Sequence, residues 1–167
     1  MIYRLIFFMI LFFGFIPSQA QVQSGAFNVL LKTMLSESIP TISIEELEQK
    51  DLSEIVLLDA REKVEYNVSH IQNARWVGYD DFNLNRVKGI DKSEEIVIYC
   101  SIGVRSEKIG EKLKAAGYSN VKNLYGSIFE WVNEGNAVYD NSGNKTSRVH
   151  AYNKKWGIWL NKGDKVY

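Results

Sequence analysis

The sequence predicts an α/β fold built on a parallel sheet. Two short apolar runs, residues 55–58 (Ile-Val-Leu-Leu) and residues 95–99 (Glu-Ile-Val-Ile-Tyr), have the continuous character of strands buried on both faces. A third strand pattern follows at residues 121–124, and stretches of helical periodicity separate these runs.

Taken in order, Phe27, Leu30, Leu31 and Met34 recur at helical spacing until Pro40 breaks the pattern. Ser43 and Glu46 have the spacing of a capping box, which predicts a helix start just after Ser43. The first buried strand follows, and residues 62–66 suit one or two helical turns. The second strand ends at Cys100. Residues 106–116 form the next predicted helix, with Ile109 and Leu113 on its apolar stripe and Gly117 placed to close it. Residues 127–133 predict another helix, closed by Gly135. Residues 140–147 are loop-like. Beyond them Val149, Tyr152, Trp156, Trp159 and Leu160 fit one face of a final helix docked on the domain.

Composition narrows the class only slightly. In 167 residues, 46% are hydrophobic and 24% charged, ordinary values for a globular chain. Twenty basic and 20 acidic residues balance, which removes any electrostatic footprint for nucleic acid or for a polybasic membrane contact. Arg4 precedes an apolar run of about 12 residues (5–16), then Pro-Ser-Gln-Ala with small residues at Ser18 and Ala20. A membrane-spanning helix needs roughly 20 apolar residues. Residues 1–20 therefore predict a signal peptide and an exported, periplasmic or secreted protein with no stable membrane association after cleavage. A buried N-terminal helix or a short anchor is the alternative.

Export makes the cysteine count informative. The chain has one cysteine, so no internal disulfide is possible, and Cys100 is either a buried filler or a reactive thiol. Its surroundings favour reactivity. Cys100 ends a predicted strand, Ser101, Ile102, Gly103 and Val104 form a short glycine-containing loop, and a helix begins near Arg105. Ligands of open α/β sheets bind beyond the carboxyl ends of the strands. Backbone N–H groups in such a turn, a helix N-terminus and the Arg105 charge all favour thiolate over thiol. Comparable sites bring cysteine from about 8.5 to roughly 3.5–7.5. Arg105 either meets an anionic substrate directly or pairs inward to anchor the loop.

Around this loop the sequence resembles the rhodanese-homology domains. Residues 100–106 (Cys-Ser-Ile-Gly-Val-Arg-Ser) look like their active-site loop. Upstream, residues 57–62 (Leu-Leu-Asp-Ala-Arg-Glu), Glu65-Tyr66 and residues 69–74 (Ser-His-Ile-Gln-Asn-Ala) are similar to the segment after a central strand. Downstream, residues 124–128 with Trp131 and Gly135 resemble the family's last strand-turn-helix. The likeness covers residues 41–139, with residues 21–40 as a helical lead-in and 140–167 as a loop and helical extension outside it. It implies a three-layer, mostly parallel five-stranded sheet with helices on both faces. It also implies sulfur transfer through a Cys100 persulfide, with Ser101, Ile102, Gly103, Val104 and Arg105 as the substrate-binding loop. The implied partners are a small sulfur donor and a thiol or cyanide acceptor, with no metal or organic cofactor. Ser69 and Ser127 replace glycines common in the family, so slight backbone strain is expected at both.

Other candidates read as structural. Asp59 and Arg61 suit an internal ion pair or a helix cap, and His70 a hydrogen bond within its turn. His150 is too distant in sequence to form a metal site with it. Trp131, Trp156 and Trp159 suit core or docking roles. Two rival functions are a non-catalytic binding module and a phosphatase or arsenate reductase. Related phosphatases carry one residue more between cysteine and arginine than the four found here.

Overall fold

The computed structural model describes Val22 and residues 24–167. The signal-peptide expectation for residues 1–20 lies outside the described residues. The first helix, α1 (Gly25–Met34), is capped by the Ser24 side chain, which accepts from the Phe27 N–H, and buries Phe27 and Leu31. Strand β1 (Thr41–Ile42) leads into α2 (Ile44–Glu48), whose capping box is complete. Glu46 N–H donates to Ser43 Oγ at 3.1 Å and Ser43 N–H to Glu46 Oε2 at 2.9 Å. There follow β2 (Val56–Asp59), α3 (Lys63–Val68), β3 (Arg75–Trp76), β4 (Ile96–Tyr99), α4 (Val104–Ala115), β5 (Val121–Leu124) and α5 (Ser127–Glu134).

The five strands form one parallel sheet in the order β1-β5-β4-β2-β3, with Leu57 beside Val97 and Ile98 beside Asn123 in register. Alternation along each strand divides the core in two. Leu57, Val97, Tyr99 and Leu124 pack with residues of α1, α2 and α5. Leu58, Ile96, Ile98 and Val121 pack with Ile109 and Leu113 of α4 on the other face. The chain leaves β2 toward β3 on one side and β4 toward β5 on the other. The segments following β2 and β4 therefore diverge, and the crevice between them is where this architecture places ligands.

That end of the sheet is pinned by a buried ion pair. Asp59 and Arg61 are both fully buried, with Arg61 Nη2 2.6 Å and Nε 3.0 Å from the carboxylate. Arg61 Nη2 also donates to the Ser69 carbonyl at 2.6 Å, tying β2 to the segment after α3. The pair is thus an internal ion pair and not a helix cap. Ser69 sits at φ −171°, ordinary extended backbone, so the strain expected there is absent. Ser127, at φ +55°, does occupy the left-handed region.

The C-terminal segment differs from expectation. Residues 140–147 are not simple loop: β6 (Val138–Tyr139) pairs antiparallel with β7 (Lys145–Thr146). No α-helix follows. Instead β8 (Arg148–His150) pairs parallel with β9 (Asp164–Val166), around a short 3₁₀ turn at Gly157–Trp159. The helical spacing of the aromatics is defeated by the backbone, which reverses at Tyr152 (φ +62°) and at Gly163 (φ +85°). Docking nevertheless occurs. Val149, Ala151 and Leu160 are buried, and Trp159 stacks on Phe27 with ring centroids 5.4 Å apart.

Replacing Asp59 by alanine leaves the Arg61 guanidinium buried without its counter-ion. Asp59→Ala is expected to lower unfolding free energy by about 3–5 kcal/mol in urea titrations.

Candidate active site

The loop after β4 is held from three sides. Cys100 N–H donates to Ser127 Oγ at 3.1 Å, while the first turn of α5 donates back: Ile128 N–H to the Cys100 carbonyl at 3.2 Å and Phe129 N–H to the Ser101 carbonyl at 3.1 Å. Helix N–H groups that have no intrahelical partner are used here to grip the loop's carbonyls. Gly103, at φ +120°, turns the chain into α4. A Cβ there would meet Leu35 only at 3.4 Å, so it is the backbone angle, not space, that calls for glycine. The turn aims the Gly103 N–H at Cys100 Sγ, 3.1 Å away. The Gly103 carbonyl, facing the other way, accepts from Ser106 Oγ and Asn123 Nδ2, each at 3.0 Å.

Charge is arranged around the same loop. Arg105 meets Glu65 of α3 with both nitrogens, Nη1 at 2.7 Å from Oε2 and Nη2 at 2.8 Å from Oε1. Arg105 Nη2 also donates to Ser101 Oγ at 2.9 Å, and Ser101 Oγ to Glu65 Oε1 at 3.2 Å. Of the two roles open to Arg105, the structure shows the inward pairing. The guanidinium still acts on the sulfur. Burial alone would push the Cys100 thiol up, but the Arg105 charge and hydrogen bonds from Ser106 and Gly103 outweigh it and hold the thiol below its ordinary value. Glu65 follows the same logic: burial works to raise it, and Arg105 and Arg61 hold it below the usual carboxylate range. His150, nearly buried, accepts the Tyr152 N–H at Nδ1 (3.1 Å), and burial lowers its pKa.

Cys100 lies in the wall of a pocket of about 180 Å³ lined also by Met34, Ser101, Ile102, Val104, Arg105, Tyr152 and Trp156. Cys100 as a residue is only 1% exposed, yet it contributes to this wall. Gly103, expected among the substrate-binding residues, is not part of the lining; it works through its N–H on the sulfur and its cap on α4. Among the described residues no three His, Cys, Asp or Glu side chains cluster to hold a metal, and His70 bonds within its turn, Nδ1 3.2 Å from the Tyr66 carbonyl.

A family profile described as the rhodanese-like domain matches residues 43–134, more than half of the chain. The chain belongs to the rhodanese-like domain family. Curated relatives include tRNA uridine(34) hydroxylases from Erwinia tasmaniensis, 35% identical over 86 residues, and Pectobacterium atrosepticum, 33% identical over 92 residues. Those matches cover 48% and 52% of this chain but only 25% and 26% of the relatives, so the chain spans about a quarter of their length. Among solved structures, a rhodanese-like domain protein from Staphylococcus aureus has 28% identity and a TM-score of 0.54, covering 62% of this chain and 99% of that one. A Bacillus halodurans protein, at 24% identity and a TM-score of 0.56, covers 71% of this chain and 86% of that one and shares the fold.

The rhodanese-like core supplies the loop, but two walls of the pocket come from outside residues 43–134. Met34 ends α1, and Tyr152 and Trp156 belong to the C-terminal segment. Sequence reasoning gave those residues no site role, because pocket walls drawn from both termini carry no local motif. It also missed Glu65 and Ser127. Glu65 lay within a quoted motif, but nothing local signals that a carboxylate 40 residues from Arg105 will face it. Ser127 registered only as a missing glycine, whereas its hydroxyl donates to the Leu124 carbonyl at 3.1 Å and accepts from Cys100.

Arg105→Met is expected to lower unfolding free energy by roughly 3 kcal/mol at neutral pH, since it strands a buried Glu65. In the native protein Glu65 lies below its unfolded value, so its contribution is present above about pH 4.3 and is lost as pH falls through the folded value. Without Arg105, burial reverses that sign, so the stability gap between the two proteins should narrow on acidification. Ser127→Ala, which removes the acceptor of the buried Cys100 N–H, should cost about 1–3 kcal/mol, and Ser127→Gly less because it also relieves the positive φ. Urea unfolding at several pH values checks both.

Proposed function

We propose that the protein is a sulfurtransferase in which Cys100 carries a sulfane sulfur as a persulfide. The observation that carries this reading is the Gly103 N–H directed at Cys100 Sγ, with Arg105 held beside the sulfur at the wall of an open pocket. The Cys100 thiolate attacks the outer sulfur of a donor such as thiosulfate, and the sulfur–sulfur bond breaks with its electron pair leaving on sulfite. The persulfide anion formed keeps the same charge as the thiolate it replaces. A thiophilic acceptor, cyanide or a small thiol, then attacks the outer sulfur and returns Cys100 as thiolate.

The groups around the loop serve both steps. The first-turn N–H groups of α4 at Val104, Arg105 and Ser106 have no intrahelical acceptor and present positive ends to a developing anion. Such preorganised donors stabilise charge without reorganising. The four-residue spacing between Cys100 and Arg105 supports sulfur over the wider phosphate cradle, and an intact Cys100 speaks against a pure binding module. The tRNA-directed activity in the names of the hydroxylase relatives is not carried over. The chain spans a quarter of their length and its charges balance. The apolar run at residues 5–16 behind Arg4 supports export as part of this proposal; no helix among the described residues is long and apolar enough to cross a membrane.

Intact mass after incubation with thiosulfate tests the reaction class. A gain of about 32 Da, mapped to Cys100 and absent in Cys100→Ser, is expected. A mass unchanged by thiosulfate and by organic sulfane-sulfur donors alike, or phosphate released from an aryl phosphate instead, contradicts the proposal.

A further inference from the structure

Three large, mainly apolar side chains line the Cys100 pocket while staying partly exposed. Met34 is 38% exposed, Tyr152 47% exposed and Trp156 half-buried, and all three line the Cys100 pocket. None belongs to residues 43–134, so the wall they build is peculiar to the two terminal extensions.

Tyr152 is held in place at a cost. Its φ is +62°, and the Asn153 N–H closes on the Ala151 carbonyl at 2.7 Å across it, which makes a γ-turn of the rare positive-φ kind. The turn is fixed on one side by the Tyr152 N–H on His150 Nδ1 and on the other by the Gly157 N–H on the Asn153 carbonyl at 2.8 Å. Glycine would fit this backbone without strain. What the tyrosine supplies is its ring, set 5.0 Å from the Arg105 guanidinium carbon at the pocket wall. A bulky residue kept in strained backbone beside a reactive group is a mark of function.

The electrostatics select further. Arg105 is the one cationic side chain among the lining residues, and its charge is already matched by Glu65. Lys155, exposed, holds its ammonium 5.9 Å from the Trp156 ring but does not line the pocket. A dianion approaching the Cys100 thiolate therefore finds amide dipoles but no uncompensated cation. An apolar body finds a ready surface. A cavity of about 150 Å³ accommodates benzene, so the pocket of about 180 Å³ suits a body of one ring.

We propose that Met34, Tyr152 and Trp156 determine specificity, and that the site takes monoanionic organic sulfane-sulfur donors with an apolar body about one ring in size, in preference to inorganic thiosulfate. This rests on the sulfur-transfer reading of Cys100. With a thiosulfonate, the Cys100 thiolate attacks the outer sulfur and the sulfur–sulfur bond breaks. The electron pair leaves on the sulfinate, with no proton, oxidant or reductant required and no change in total charge.

The experiment compares initial rates of Cys100 persulfide formation from benzenethiosulfonate, methanethiosulfonate and thiosulfate, read by intact mass. The first two share charge and leaving-group type and differ in their apolar body. The native protein should prefer the benzene over the methane compound by about tenfold or more, and both over thiosulfate. That benzene-to-methane ratio should fall toward one in Trp156→Ala and in Tyr152→Gly, the latter a substitution its backbone tolerates. Equal rates in the native protein, faster loading from thiosulfate, or a ratio unmoved in both variants overturns the inference while sulfur transfer stands. If no donor loads Cys100, the sulfur-transfer reading fails and this inference with it.

Discussion

A buried carboxylate gripping a guanidinium with both oxygens is the contact on which the site depends. Glu65 rises from the helix after β2, Arg105 from the first turn of the helix after β4, and their paired bonds of 2.7 and 2.8 Å close the crevice between the two diverging segments. Ser101 completes the triangle by bonding to both. The pair fixes where the cation sits relative to Cys100, and so how far it offsets the cost of ionising a buried sulfur. Remove either partner and the other is left desolvated, which is why the arrangement serves position more than net stability.

The remaining supports act on backbone. The α5 N-terminus holds the Cys100 and Ser101 carbonyls, Ser127 takes the Cys100 N–H, and Gly103 turns its own N–H to the sulfur. Two residues accept left-handed backbone to make this possible or to frame it: Ser127 within the core and Tyr152 at the pocket wall. Such conformations persist only when their surroundings over-determine them. Around Ser127 that is the hydrogen-bonded junction of β5 and α5; around Tyr152 it is the paired β8 and β9.

Much of this was legible in the sequence. The strands at 56–59 and 96–99 fell where continuous apolar runs placed them, because a strand covered on both faces has few polar alternatives, and the third fell at its expected place, 121–124. The Ser43 capping box and the Gly135 helix end were equally local. The reactive loop could be found because strand, glycine turn and helix all meet at one cysteine. The C-terminal segment could not. Val149, Tyr152, Trp156 and Leu160 repeat at helical spacing, yet two positive-φ reversals and a parallel strand pair with no local signature decided its path. Glu65 was hidden for a related reason: its partner is set by sheet order, which no short window of sequence encodes.

The central claim is that the Cys100 thiol ionises more readily than a free thiol despite its burial. Thiolate absorbance in the ultraviolet, followed against pH in the native protein with Cys100→Ser as the blank, measures this directly. The account predicts a midpoint below that of a free thiol, about 8.5. A midpoint at or above that value would show that desolvation outweighs Arg105 and the loop amides, and would contradict it.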